Sequence, residues 1–250
     1  MNRIIETFIF ALVLTLFIGC ASKTAAVHSA SENDDEAIEQ AEQLYREGKY
    51  RKALKIVEPL RYSASVQADN AHIITAKIYI EQKEYEMAAS ELKWLLGQYP
   101  NSDCREEAAF LVGEAYRKAS PRAELDQDYT NRAIEAYNDF IDRFPTSEFI
   151  GKVEDGIALC KEKLAQKQYL SARLYFRLGQ DSSAVIYIND IRERYPDTSW
   201  KLWADYLEAR ICINKDDFAA AKSLLESLLD SEPDDKLRKK AQKSLKKCKM

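Results

Sequence analysis

The side chains able to do chemistry in this chain are few and widely separated. Five cysteines occur, Cys20, Cys104, Cys160, Cys212 and Cys248, with two histidines, His28 and His72. A thiolate can serve as nucleophile, metal ligand or acyl acceptor. Zinc ligation needs Cys or His at paired spacings. No Cys-x-x-Cys pair and no His at ligand distance from a Cys appears here. Cys104, Cys160 and Cys212 instead fall within helical patterns, where Cys acts as a small hydrophobe. Neither His28 nor His72 has a nucleophile to activate, and His72 reads as a structural residue within a helix. Asp and Glu number 41. Glycoside hydrolysis, however, requires a Glu held in a cleft. The glutamates here fall at solvent-facing helix positions, and no stretch is left over for a catalytic domain. The expectation is a chain with no catalytic residue, no metal and no cofactor. A net charge of −4 argues against a nucleic-acid partner.

Cys20 is set apart by its context. Arg3 is followed by an apolar stretch from Thr7 to Ile18, about 12 residues and too short to cross a bilayer. Gly19-Cys20 comes next, then polar, small-residue sequence from Ala21 to Asn33. This reads as a signal peptide over residues 1–19, although Glu6 departs from the usual basic start. Phe17-Ile18-Gly19-Cys20 resembles a bacterial lipobox, with Phe17 where that pattern usually has Leu. The resemblance implies a lipid anchor on Cys20, the thiol accepting a diacylglycerol. Two or more acyl chains give stable anchoring. Ala21 and Ser22, with no Asp, resemble the sorting signal of lipoproteins sent to the outer membrane. The expected location is therefore the periplasmic face of that membrane, with residues 20–33 as a flexible tether.

The elements behind these residues are helical. Seven glycines and six prolines are too few for the turns of a β-sandwich or barrel. One phrase recurs: a small residue, an aromatic, a turn, then an aromatic and an Ala opening a second helix. It appears at Ala41, Leu44, Gly48, Tyr50 and Ala53, then at Ala76, Tyr79, Tyr85 and Ala88. It recurs at Gly113, Tyr116, Ala133 and Tyr137; at Ala172, Tyr175, Gly179 and Ala184; and at Ala209, Cys212, Phe218 and Ala221. Small residues let paired helices approach, and Tyr79, Tyr85, Tyr116, Tyr137, Tyr175 and Phe218 read as packing residues. Gly48 and Gly179 supply permissive backbone at helix ends. Tyr99-Pro100, Phe144-Pro145 and Tyr195-Pro196 close helices, and Ser102, Ser147 and Thr198 can cap the next. Pro59 should shorten or kink its helix.

This set resembles tetratricopeptide repeats of about 34 residues. The expected fold is all-α: a tetratricopeptide-like helical-hairpin array of about five repeats, a right-handed solenoid. The expected division is 34–118 for repeats 1 and 2 with the start of 3, 119–235 for repeats 3 to 5, and a basic tail at 236–250. Ser120 to Asp128 reads as an elongated loop in the third repeat, and Val153 to Gln168 as an additional helix. The tail has a weak apolar stripe, Leu237, Ala241 and Leu245, among lysines. It suits an anionic lipid or acidic partner, or a solvated capping helix that frays.

The run from Leu125 to Thr198 carries a more specific likeness. The loop, Tyr137, Phe140, Phe144-Pro145-Thr146-Ser147, the extra helix and Tyr195-Pro196-Asp197-Thr198 together resemble the BamD family. These are the repeat lipoproteins of the outer-membrane β-barrel assembly machine. The resemblance implies a scaffold that binds a BamA-like outer-membrane insertase through its C-terminal half. It also implies that unfolded outer-membrane protein precursors are received by the N-terminal half. Candidate groove residues are Ile38, Glu42, Tyr45, Ile73, Lys77 and Ile80, one turn from the packing face. Candidate insertase contacts are Tyr187, Asp190, Trp200, Trp203 and Tyr206. The rival reading is a repeat lipoprotein scaffold for peptidoglycan or Tol-Pal-type envelope complexes, since a repeat groove is generic.

Overall fold

The computed structural model describes residues 21–248, with side-chain surroundings from residue 33. Cys20 and the signal segment 1–19 lie outside the described residues. The helices are α1 (Ala21–Arg46), α2 (Tyr50–Arg61), α3 (Ala68–Glu81), α4 (Tyr85–Gln98), α5 (Arg105–Ala119) and α6 (Asp128–Arg143). They continue with α7 (Ile150–Arg177), α8 (Asp181–Arg194), α9 (Ser199–Asn214), α10 (Phe218–Asp230) and α11 (Asp235–Lys247). No strand occurs among the described residues. The pairs α1–α2, α3–α4, α7–α8 and α9–α10 pack as hairpins, α5 meets α6 where Gly113 faces Tyr137, and α11 is added at the end.

Four hairpins turn in one way. Gly48, Lys83, Gly179 and Asp216 all take positive φ, 72°, 65°, 72° and 58°. The next residue donates its N–H five residues back: Lys49 to Leu44, Glu84 to Tyr79, Gln180 to Tyr175 and Asp217 to Cys212. This is the Schellman closure, which satisfies carbonyls orphaned at a helix end. Glycine was the expected signal at two of these turns. Lys83 and Asp216 adopt the same conformation because the flanking helices pack and impose it.

The closers also behave regularly. The hydroxyls of Ser102 and Ser147 accept from the N–H of Cys104 and Phe149, at 3.0 and 3.3 Å. Thr198 departs from the expected cap. Its hydroxyl donates back to the Tyr195 carbonyl at 2.8 Å, leaving α9 without a side-chain cap. Pro59 lies in the last turn of α2, where the helix ends two residues later.

Two expectations about extent are corrected. Residues 21–33 belong to α1 instead of a tether; the segment has no Gly or Pro and is rich in Ala, the best helix former. The additional helix at 153–168 is not separate. It is continuous with the first helix of the fourth repeat, giving the 28-residue α7. Its buried residues keep three- and four-residue steps over Val153, Gly156 and Cys160 and again over Ala165, Tyr169, Ala172 and Phe176, with a five-residue step between that turns the buried face, and no Gly or Pro between Gly156 and Gly179 breaks the helix.

The chain divides into two compact units, Met1–Ala108 and Ala109–Met250. The division falls early in α5 instead of at its end, the expected 118/119. The reason lies in the C-terminal unit, where Gly113 of α5 faces Tyr137 of α6. The Tyr137 ring has no exposed surface and is also faced by Gly156 of α7. Its hydroxyl donates to Glu114 at 2.5 Å, and Arg117 clamps the same carboxylate at 2.7 and 2.8 Å. Burial raises the Glu114 pKa, but these hydrogen bonds outweigh it and hold the carboxyl below the usual range.

Two outcomes are expected. A methyl on Gly113 would sit 2.4 Å from the Tyr137 ring, and one on Gly156 2.6 Å. Gly113→Ala and Gly156→Ala should each destabilise by about 1–3 kcal/mol in denaturant titration. Gly97→Ala, inside α4 with nothing near its added methyl, should be neutral or stabilising by about 0.5–1 kcal/mol. A uniform response at all three positions would contradict the packing. The second outcome concerns acid. A carboxyl with a lowered folded pKa contributes stability above its unfolded value and loses it as pH falls through the folded one. The stability that Glu114 contributes should therefore be present at neutral pH and be lost only as pH falls below the ordinary carboxylate range. Glu114→Gln should be less stable at neutral pH and show a shallower acid slope.

Candidate protein-binding surfaces

In the N-terminal unit half of the expected groove residues are core. Helix α3 packs against α1, α2 and α4 and buries residues on every side, Ala68, His72, Ile73, Ile74, Ala76, Ile78 and Ile80 among them. Ile73 and Ile80 therefore do not line a groove. Ile38 is also buried, against Ala41, Ala53 and Val57. It lies three residues before Ala41 and so shares its packing face. The polar candidates do reach solvent. Glu42 is exposed and pairs with Arg46 at 3.5 Å. Lys77 is half-buried and pairs with Glu107 at 2.6 Å. Tyr45 is half-buried beside Tyr50, their rings 5.8 Å apart.

The surface that the structure does build lies on α4. Met87, Glu91 and Trp94 sit at i, i+4 and i+7, off the Ala88–Leu92–Leu95 stripe that packs. Met87 and Trp94 are exposed, and Tyr62 and Val66 protrude from the loop after α2, 76% and 71% exposed. Beneath them lies a buried ionic cluster. Glu91 pairs with Arg61 at 2.7 Å and with the His72 imidazole. The His72 ring stands 4.2 Å from Trp94 and 6.0 Å from Tyr99, so Trp94 is braced from below. Arg61 lies 5.0 Å over the Tyr62 ring. Helical spacing on α4 carried the signal for this face, but the recurrent phrase drew attention to the packing stripe.

In the C-terminal unit the expected insertase contacts are largely engaged within the chain. Tyr206 is buried in the α9–α10–α11 core. Tyr187, Trp200 and Trp203 pack at the edge of the α7–α8–α9 core. Tyr187 stacks on Tyr175 at 5.4 Å, and Trp200 and Trp203 flank Tyr169 at 5.1 and 6.1 Å. Asp190 is half-buried and receives Arg194 at 3.5 Å. The residues left exposed beside them are Leu174 of α7, Leu178 just after it and Ile186 of α8. Phe218, expected to pack, is 41% exposed. It is the first residue of α10, beyond the stripe Ala221–Leu225–Leu228 that reaches the core. Arg192 bridges Asp205, at 2.6 Å, and Glu208, tying α8 to α9.

The elongated loop of the third hairpin is an ordered structure. Its Ala123 is buried, and the Gln127 side chain donates to the Arg122 and Leu125 carbonyls at 3.0 and 3.2 Å. Lys163 of α7 donates to the Ser120 carbonyl and hydroxyl, and Lys167 to the Leu125 carbonyl. Leu125 itself stays half exposed at the tip.

Burial raises the thiol pKa of Cys104, of Cys160 to about 11, and of Cys212. All three stay protonated at neutral pH, which suits packing and opposes nucleophilic attack. No cluster of His, Cys, Asp or Glu among the described residues could hold a metal ion.

The family model YfiO, described as outer membrane lipoprotein, matches residues 30–216. The chain belongs to this family. Relatives include an outer membrane protein assembly factor BamD of Caulobacter vibrioides, 24% identical over 127 residues, covering 51% of this chain and 42% of that protein. A putative outer membrane protein assembly factor BamD of Aquifex aeolicus is 28% identical over 190 residues, covering 74% of this chain and 61% of that protein. The chain thus spans about half the length of the curated relatives it matches. Among solved structures, a tetratricopeptide repeat protein from Parabacteroides merdae aligns at a TM-score of 0.44 and 15% identity, covering 100% of this chain and 98% of that one. The TPR2AB domain of yeast Sti1 in its pHSP90 complex aligns at a TM-score of 0.41 and 15% identity, covering 88% of this chain and 99% of that one. The family match takes in the α4 face, the ordered loop and α7, and ends before α10 and α11.

The ionic cluster under the α4 face gives a direct test. Removing one partner of a buried pair leaves the other charge uncompensated. Glu91→Gln strands Arg61 and should cost about 3 kcal/mol in chemical denaturation. Exposed Glu81→Gln should change stability by less than about 0.5 kcal/mol. A Glu91 variant as stable as wild type would show that the cluster does not hold the face.

Proposed function

We propose that this chain is an outer-membrane protein assembly factor, a non-catalytic helical scaffold anchored by lipid on Cys20 at the periplasmic face. Its C-terminal unit holds a BamA-like barrel insertase, and its N-terminal unit receives unfolded barrel precursors. The observation that carries the reading is the family match over residues 30–216, which reaches into both units. The assembly-factor names of the two relatives support it.

The surfaces suit that task physically. Trp, Tyr and Arg supply most binding energy at protein interfaces. On the N-terminal unit, Trp94 and Tyr62 are exposed beside Met87 and are held by Arg61, Glu91 and His72. A braced aromatic loses little entropy on binding an apolar side chain of an extended segment. On the C-terminal unit, Leu174, Leu178 and Ile186 offer an apolar face next to the Tyr175–Tyr187 stack.

Cross-linking pull-down from membranes should recover a barrel insertase, and depletion should lower outer-membrane barrels while sparing other lipoproteins. Cys20→Ala should release the chain from the membrane or leave it unprocessed. Trp94→Ala should weaken capture of a precursor peptide by about 2 kcal/mol with the insertase still bound. Recovery of peptidoglycan enzymes and no insertase would overturn the assignment.

A further inference from the structure

Helix α11 lies beyond the family match and carries the most concentrated charge in the molecule. Residues 235–250 hold seven lysines and one arginine against one aspartate, a charge of +7. The rest of the chain therefore carries −11 of the net −4. Docking of α11 makes little use of this charge. The helix is capped by Asp234, whose carboxylate accepts from the N–H of Lys236 and Leu237 at 2.8 and 2.9 Å. It packs on α9 and α10 through Leu237, Ala241 and Leu245.

Helical geometry places the lysines on the far side. At about 100° per residue, Lys236, Lys239, Lys240, Lys243, Lys246 and Lys247 share an arc of about 120° opposite the docked stripe. All six are exposed. Arg238 pairs with Asp235 at 3.0 Å, and Lys236 lies 5.7 Å over the Trp203 ring. Among the described residues, no carboxylate pairs with Lys239, Lys240, Lys243, Lys246 or Lys247. Six like charges on one face repel one another, and only the Lys at the C-terminal end gain from the helix dipole. Folding does not explain the rest.

We propose that the lysine face of α11 binds an anionic lipid surface. Three features favour headgroups over other partners. The face is built from Lys, a flexible point charge, whereas specific carboxylate or phosphate recognition favours the planar fork of Arg. It has no exposed aromatic or apolar anchor, and protein interfaces are depleted in Lys and centred on such anchors. It also lacks the aromatic platforms on which nucleic-acid bases stack. What remains is the distributed attraction of a polybasic segment to anionic headgroups. The acidic remainder of the chain is repelled by the same surface, so the two charges together orient the α11 end toward it. This inference does not depend on the assembly-factor reading.

The test is vesicle partition of the full chain, comparing phosphatidylcholine with phosphatidylcholine containing one part in three of phosphatidylglycerol. Partition driven by the apolar stretch Thr7 to Ile18 is common to both vesicle types, so their ratio reads charge. Wild type should prefer the anionic vesicles, and the preference should collapse between about 0.05 M and about 0.5 M salt. A variant with Lys239, Lys240, Lys243 and Lys246 all changed to Gln keeps the docking stripe and should unfold at the wild-type midpoint. Its anionic preference should fall at least tenfold, on the basis of about fivefold per lysine. Equal partition of wild type into both vesicle types overturns the proposal, as does an undiminished preference in the variant. Loss of an acidic co-purifying protein from the variant, with no lipid preference in wild type, assigns the face to a protein instead.

Discussion

Close approach of helices is the constraint on which this molecule rests. Each of the eleven described helices turns an alanine or glycine inward where a neighbour crosses it. Ala41, Ala53, Ala71, Ala88, Ala108, Ala133, Ala172, Ala184, Ala209, Ala221 and Ala241 have no exposed surface. A helix whose contact residue ends at Cβ can bring its axis nearer, so larger side chains from the partner fill the space on either side. The largest such residue, Tyr137, has a glycine toward it from each of two helices. Net stability then comes from many small dispersion contacts.

The same constraint decides where binding can occur. A helix flanked on three sides, as α3 is, has little surface left to offer, and Ile73 and Ile80 are taken into the core. Exposed apolar residues collect on other faces. On α4 these are Met87 and Trp94; in the C-terminal unit they are Leu174 on α7, Leu178 just after it and Ile186 on α8. Apolar residues exposed at such places are not needed for packing.

Much of the architecture was legible because it is repetitive. The Ala-aromatic phrase located every hairpin, and Gly48 and Gly179 located two turns. Lys83 and Asp216 hid the equivalent turns, since their positive φ is imposed by the tertiary structure and leaves no compositional mark. The fusion of two helical stretches into α7 was hidden for a related reason. Periodicity shows that 153–168 and 172–177 are helical, but only the absence of a breaker between them shows that they are one helix. The groove residues were misplaced because the outward face of a repeat helix depends on how many neighbours flank it. That number comes from the stacking of hairpins, which a single repeat cannot show. The polar candidates Glu42 and Lys77 reach solvent because charge keeps a side chain near water.

Buried charge is the remaining puzzle in a fold that could be wholly apolar. Two clusters occur, Arg61–Glu91–His72 in the first unit and Glu114–Arg117–Tyr137 in the second. Well-packed apolar residues of similar volume would serve stability as well or better. Each cluster adds direction instead. The Glu114 carboxylate fixes the Tyr137 hydroxyl and with it the ring between Gly113 and Gly156. In the first unit, Glu91 fixes His72, and His72 stands under Trp94. A hydrogen-bonded group has one favourable orientation, whereas an apolar side chain tolerates several. The polar atoms therefore set the rotamers of the rings above them, and an exposed tryptophan becomes a rigid contact surface.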